Sequence, residues 1–172
     1  MSLGGGVRFL YPRERYSPPM IRSAHGDIFE SSAEALVNPV NCVGVMGKGL
    51  ALAFKRRFPE MFREYTAVCK AGELVPGTLH VWRDSGAGPM VVNLPTKRHF
   101  RSKSKLEDVE AGLVALRTTA LELGLRSIAV PALGAGLGGL HWSEVRPRIV
   151  ATFEGVEGLE VELFEPQDVG RG

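Results

Sequence analysis

Cysteine is scarce in this sequence: Cys42 and Cys69 are the only two among 172 residues. They are not set at metal-ligand spacing, so a zinc ribbon or a disulfide framework is excluded as the source of stability. The four histidines do not cluster with acids or cysteines either, and no metal site is expected. No stretch approaches the roughly 20 apolar residues of a membrane-spanning helix. The Gly-, Pro- and Arg-rich residues 1–19 lack the apolar core of a secretory leader. No membrane association, a cytoplasmic location and reduced thiols are the expectations. An excess of one charge is lacking as well. Lys and Arg number 21 against 19 Asp and Glu, a net charge of +2, with a pI near 8.7. A basic surface for nucleic acid must therefore be local.

What is present suits a single soluble domain. Hydrophobic residues make up 44% and charged residues 23%, and the length allows a core without staples. Residues 1–19 read as an N-terminal extension or an artificial remnant, because Met20 serves equally well as a start, although Val7–Tyr11 could add an edge strand. The domain proper is expected over 20–166, with a short tail at 167–172. Nothing argues against a monomer.

From Met20 onward strands alternate with helices. Strands are expected at Met20–Ala24, Ala35–Asn38, Thr78–Arg83, Met90–Leu94, 127–132 and Leu159–Phe164. Helices are expected at Leu50–Arg57, Glu60–Lys70, after Ser104 and over 143–154. Ser104-Lys105-Leu106-Glu107 reads as a capping box. Leu106, Val109, Leu113, Leu116, Ala120 and Leu123 form one apolar face, and Gly124 is the stop. Ser143 reads as the N-cap of the last helix. The pattern predicts an α/β fold, three layers (α/β/α) around a central mixed sheet.

Three strand ends carry unusual residues: Asn38–Gly49, Asn93–Arg101 and Pro131–Trp142. In an open α/β sheet, ligands bind outside the carboxyl ends of the strands, so these loops are expected to meet at one cleft. Pro131-Ala132-Leu133-Gly134-Ala135-Gly136-Leu137-Gly138-Gly139 lies between an apolar strand and a helix. Closely spaced glycines there let several N–H groups point at one phosphate or pyrophosphate. Two nucleotide motifs are nearly met. Gly134-x-Gly136-x-x-Gly139 satisfies the dinucleotide pattern, but too little chain follows for that fold. Gly47-Lys48-Gly49 lacks the Ser or Thr that a P-loop places after its lysine.

Gly26-Asp27-Ile28, Asn38-Pro39-Val40-Asn41-Cys42, Gly44-Val45-Met46-Gly47-Lys48-Gly49-Leu50-Ala51 and the 131–139 loop together resemble a macrodomain, over about Met20 to Glu165. Asn93-Leu94-Pro95-Thr96-Lys97-Arg98-His99 is similar to the DarG antitoxin branch, itself related to the terminal ADP-ribose protein glycohydrolase. The resemblance implies an ADP-ribose site. Gly26, Asp27 and Ile28 would meet the adenine, with Asp27 accepting from its amino group, although a turn or cap acid is the commoner use of such an Asp. Asn41 would bond the distal ribose; a backbone cap is the alternative. Val43, Met46, Gly47 and Lys48 would line one side of the ribose and phosphates, and Ala135, Gly136, Leu137, Gly138 and Gly139 the other. Cys42 is expected to pack.

The same resemblance implies that Lys97 acts at the anomeric carbon, either as an ammonium stabilising the leaving group or as a neutral amine attacking carbon. A surface lysine is the plain alternative. The protein glycohydrolase has an aspartate where Gly138 stands here. Its loss disfavours alkoxide leaving groups and favours a base-linked or acyl-linked substrate. Arg98, His99, Phe100, Arg101 and Lys103 belong to the one concentrated basic run, an aromatic among cations, as a single strand requires. They are candidate DNA contacts, with His99 also a candidate for proton transfer. The implied function is removal of ADP-ribose from thymidine in single-stranded DNA, reversing a DarT-type toxin without a cofactor. A deacylase of acyl-linked ADP-ribose and a reader without turnover are the alternatives. The toxin-clasping domain typical of such antitoxins is not recognised in this sequence.

Overall fold

The computed structural model describes residues 20–166. The candidate strand at Val7–Tyr11 and the 167–172 tail lie outside the described residues. Within them the chain runs β1 (Met20–Ala24), a 3-10 turn (Ile28–Glu30), β2 (Ala35–Val40), α1 (Gly49–Arg57) and α2 (Pro59–Lys70). It continues through β3 (His80–Trp82), β4 (Met90–Pro95), α3 (Leu106–Glu122), β5 (Ser127–Val130), α4 (Trp142–Phe153) and β6 (Glu160–Phe164). The strands form one sheet in the order β1-β6-β5-β2-β4-β3. Neighbours are parallel except β3, which runs antiparallel to β4. This is the expected mixed sheet.

Alternation along the strands builds the three layers. On β2, Ala35 and Val37 enter the core under α3 and α4, while Leu36 and Val40 enter the core under α1 and α2. A strand covered on both faces reads as a continuous apolar run, and all six residues of β4 are buried. Most of the expected apolar face of α3 packs, with Val109, Leu113, Leu116 and Ala120 buried and Leu106 against them. Leu123 does not, because the helix ends at Glu122 and Leu123 is its C-cap, 41% exposed.

The ends of elements depart from expectation for identifiable reasons. The capping box at Ser104 is not formed. The N-cap of α3 is Lys105, with no side-chain cap bond; Ser104 lies just outside the helix, its N–H donating to the Gly138 carbonyl at 2.9 Å and its hydroxyl buried without a hydrogen-bond partner. Glu107 and Asp108 in the first turn complement the helix dipole instead. Ser143 is not a cap either. His141 is, and α4 begins at Trp142, whose indole N–H donates to Glu165 at 2.6 Å. The strand expected over 127–132 stops at Val130, since Pro131 has no N–H to continue the ladder. β3 is only three residues long, shorter than Thr78–Arg83.

β5, β2 and β4 lie side by side and parallel. Their carboxyl ends, and the N-terminus of α1, therefore share one edge of the sheet.

Candidate functional site

A cleft of about 970 Å³ opens at that edge. The loop after β2 contributes Asn41, Val45, Gly47 and Lys48; the loop after β4 contributes Thr96, Lys97, Phe100, Arg101, Ser102 and Lys103; the loop after β5 contributes Gly134, Gly136, Leu137 and Gly138. The three stretches singled out in the sequence thus converge. A hollow of about 560 Å³ lies at the opposite, amino-terminal edge, between Ser31–Glu34, Arg83–Met90, Leu123 and Leu125. It carries none of the candidate residues.

Of the expected ADP-ribose residues, Asn41, Gly47, Lys48, Gly136, Leu137 and Gly138 line the cleft, whereas Gly26, Asp27, Ile28, Val43, Met46, Ala135 and Gly139 do not. Met46 and Ile28 are buried in the core beneath α1 and α2, so their side chains serve packing. Asp27 takes up the commoner role of such an acid: it caps the 3-10 turn, its Oδ1 accepting from the Phe29 N–H at 2.9 Å. Its carboxylate remains exposed.

Asn41 is the post around which its own loop is wound. Its Nδ2 donates to the Val45 carbonyl at 2.7 Å, and its Oδ1 accepts from the N–H groups of Val43 at 3.0 Å and Val45 at 3.3 Å. The Tyr65 hydroxyl, from α2, reaches both the Asn41 carbonyl at 2.7 Å and its Oδ1 at 3.0 Å. Burial pushes the Tyr65 phenol far up, so the hydroxyl stays a donor. The backbone-cap role is therefore present, and one Nδ2 hydrogen remains for a ligand. Tyr65 escaped sequence reasoning; the available signal was a hydroxyl one turn after Met61 on the buried face of α2.

Below the cleft runs a buried polar chain. Asn38, Asn93 and His80 stand in register on three neighbouring strands. Asn38 Nδ2 donates to Asn93 Oδ1 at 2.9 Å, and Asn93 Nδ2 lies 3.0 Å from His80 Nδ1. Burial lowers the His80 pKa, and Glu64, 3.7 Å from Nε2, opposes that shift. Just past the strand ends, the N–H groups of Thr96 and Lys97 both reach the Val40 carbonyl, at 2.9 and 3.4 Å, and the Cys42 N–H donates to the Arg98 carbonyl at 3.3 Å. Asn41 and Lys97 are thereby held on adjacent loops. Cys42 packs here, its thiol donating to the Lys97 carbonyl at 3.5 Å, and burial pushes its pKa up to about 11.

The glycine loop has no room for a side chain at its third glycine, Gly138. A Cβ on Gly138 would stand 2.3 Å from Ser104 Oγ and 2.4 Å from the Gly134 carbonyl oxygen. The opposite loop is equally tight: Gly49 has φ +56°, and a Cβ there would stand 3.1 Å from Leu137 Cδ1. Leu137, though 67% exposed, thus reaches across the cleft to the start of α1.

Among the described residues, the charged ones lining the cleft are Lys48, Lys97, Arg101 and Lys103, with no Asp or Glu. Lys97 is half-buried. Arg98 and His99 do not line it. Arg98 is committed to buried Asp108 on α3, with Nε and Nη2 bonding its two oxygens at 3.1 and 3.2 Å. His99 stacks on Phe100, ring centroids 4.2 Å apart. A concave, cationic site with backbone N–H groups on two glycine-rich walls suits a pyrophosphate.

The sequence profile of the Macro domain family matches residues 37–149. A Thermus aquaticus protein named DNA ADP-ribosyl glycohydrolase is 48% identical over 149 residues, covering 86% of this chain and 41% of its own length. The chain thus spans less than half of that curated relative. Among solved structures, the macrodomain of Mycobacterium tuberculosis DarG superposes with a TM-score of 0.84 at 46% identity, covering 86% of this chain and 98% of that one. Thermosipho africanus DarTG in complex with ADP-ribose superposes with a TM-score of 0.77 at 33% identity, covering 88% of this chain and 43% of that one. Among the described residues no helix is long and apolar enough to cross a membrane.

Proposed function

The chain belongs to the macrodomain family, and on that premise we propose that it hydrolyses the bond between ADP-ribose and thymidine in single-stranded DNA, opposing a DarT-type toxin. The observation that carries this reading is the convergence of Lys97, Asn41 and the glycine loop on one cleft whose charged lining, among the described residues, is wholly cationic. The similarity to DarG macrodomains and to a named DNA ADP-ribosyl glycohydrolase supports it.

In this reading the pyrophosphate lies between Gly47–Lys48 and Gly136–Gly138, and the distal ribose lies at the Asn41 end, beside Lys97. Water adds to the anomeric carbon as the carbon–nitrogen bond breaks. The electron pair leaves on the thymine imide, whose two carbonyls delocalise it. Lys97 stabilises that anion as its charge develops and returns the proton that water supplies. A covalent path, with the Lys97 amine attacking the anomeric carbon, balances equally and differs in releasing ADP-ribose through a lysine adduct.

The exclusion of any side chain at position 138 favours a leaving group that needs no acid on the glycine-loop wall. A serine alkoxide needs one; an imide or a carboxylate does not. The test is release of ADP-ribose from a single-stranded oligonucleotide bearing ADP-ribosyl thymidine, beside an acyl-linked ADP-ribosyl peptide. Faster release from the oligonucleotide is expected. Faster release from the peptide would favour the deacylase, and ADP-ribose binding with release from neither would favour a reader.

A further inference from the structure

The loop after β4 holds more ordered structure than presentation of Lys97 requires. Phe100 is 43% exposed, yet it is not loose. His99 stacks on it with planes 29° apart, and the Arg101 guanidinium lies 5.5 Å from its ring centre. The Arg101 N–H donates to His99 Nδ1 at 3.1 Å. Ser102 Oγ closes the turn, donating to the His99 carbonyl at 2.8 Å and accepting from the His99 N–H at 3.1 Å. The loop is anchored at both ends, by Arg98 on Asp108 and by Ser104 on Gly138. A pre-formed aromatic stack facing solvent contributes little to a core; it suits a planar partner. Phe100, Arg101 and Lys103 also line the cleft, so the platform is continuous with the site.

We propose that this rim is a separate subsite for one nucleotide adjoining the modified thymidine. The neighbouring base extends the exposed His99–Phe100 stack, and the backbone phosphates beside the modified nucleotide meet Arg101 and Lys103. The proposal rests on the glycohydrolase reading above and goes beyond it, because it makes the enzyme a reader of strand as well as of ADP-ribose. Stacking with flanking cations is tolerant of base identity, so the subsite selects DNA over an isolated nucleoside without selecting a sequence. Arg98, whose guanidinium is held by Asp108, is outside the subsite.

The experiment compares kcat/KM for ADP-ribosyl thymidine as a nucleoside, as dinucleotides extended on the 5′ or the 3′ side, and within a longer single strand. Wild type is expected to favour the single strand over the nucleoside by about tenfold or more, with most of the gain from one added nucleotide on one side. In Phe100→Ala that ratio collapses toward one, and in Arg101→Ala the salt dependence of oligonucleotide turnover falls by about one phosphate contact. A wild-type ratio near one, or a ratio unchanged in Phe100→Ala, overturns the subsite. If wild type hydrolyses none of these substrates, the glycohydrolase reading fails instead. Fluorescence anisotropy of a labelled unmodified single strand then decides the subsite: weaker binding by Phe100→Ala supports it, and equal binding overturns it.

Discussion

Ser104 Oγ stands where a side chain on Gly138 would have to go, 2.3 Å from the position of its Cβ. Ser104 is itself held there by its backbone bond to the Gly138 carbonyl. The glycine loop is thus moulded around Ser104, and the absence of a carboxylate at 138 is enforced by shape.

Gly138→Ala and Gly138→Asp should both weaken ADP-ribose binding, and the second should gain no activity on serine-linked ADP-ribose. The clash involves backbone as well as side chain, so the loop must shift, at a cost of about 1–3 kcal/mol, or roughly tenfold to a hundredfold in affinity. Calorimetric titration with ADP-ribose measures it. Unchanged affinity in Gly138→Ala would show that the loop binds in another shape.

Tyr65→Phe removes the hydroxyl that bonds both oxygens of Asn41. Oδ1 keeps its bonds to Val43 and Val45, but the buried carbonyl loses the 2.7 Å partner. A loss of about 1–2 kcal/mol in stability is expected, with weaker ADP-ribose binding as the Asn41 loop loosens. Chemical denaturation and titration give the two numbers. Lost stability with intact affinity would show that Asn41 holds its loop without help from α2.

His80 makes stability depend on pH. Burial lowers its pKa in the folded chain, so between that value and the ordinary histidine range the unfolded state binds more protons. Stability then rises with pH. The contribution is full above the unfolded value of about 6.5 and is lost as pH falls toward the folded one. His80→Gln, which keeps an acceptor for Asn93, should flatten the fall in melting temperature on acidification from neutral pH. An equally steep fall in the variant would place the titration elsewhere.

The layers of this fold were legible because burial on both faces of a sheet leaves plain apolar runs, as in β4, and because α3 keeps a strict apolar face. The cleft was legible because its three loops carry glycine, asparagine and cations where strands end. What was not legible depends on partners distant in sequence. Ser104 has the local signature of a cap, but its N–H bonds the Gly138 carbonyl and α3 is capped one residue later, at Lys105. Arg98 reads as one more cation in a basic run until Asp108 on α3 takes it. Asn41 reads as a ribose ligand, whereas most of its bonds serve its own loop and α2.

The proposed role of Lys97 in the chemistry is tested most directly by Lys97→Ala acting on an oligonucleotide bearing ADP-ribosyl thymidine, with ADP-ribose affinity measured in parallel. The expected result is loss of turnover by at least about a hundredfold, the scale of one general acid or base, with ADP-ribose still bound. Turnover by Lys97→Ala at the wild-type rate would contradict the account.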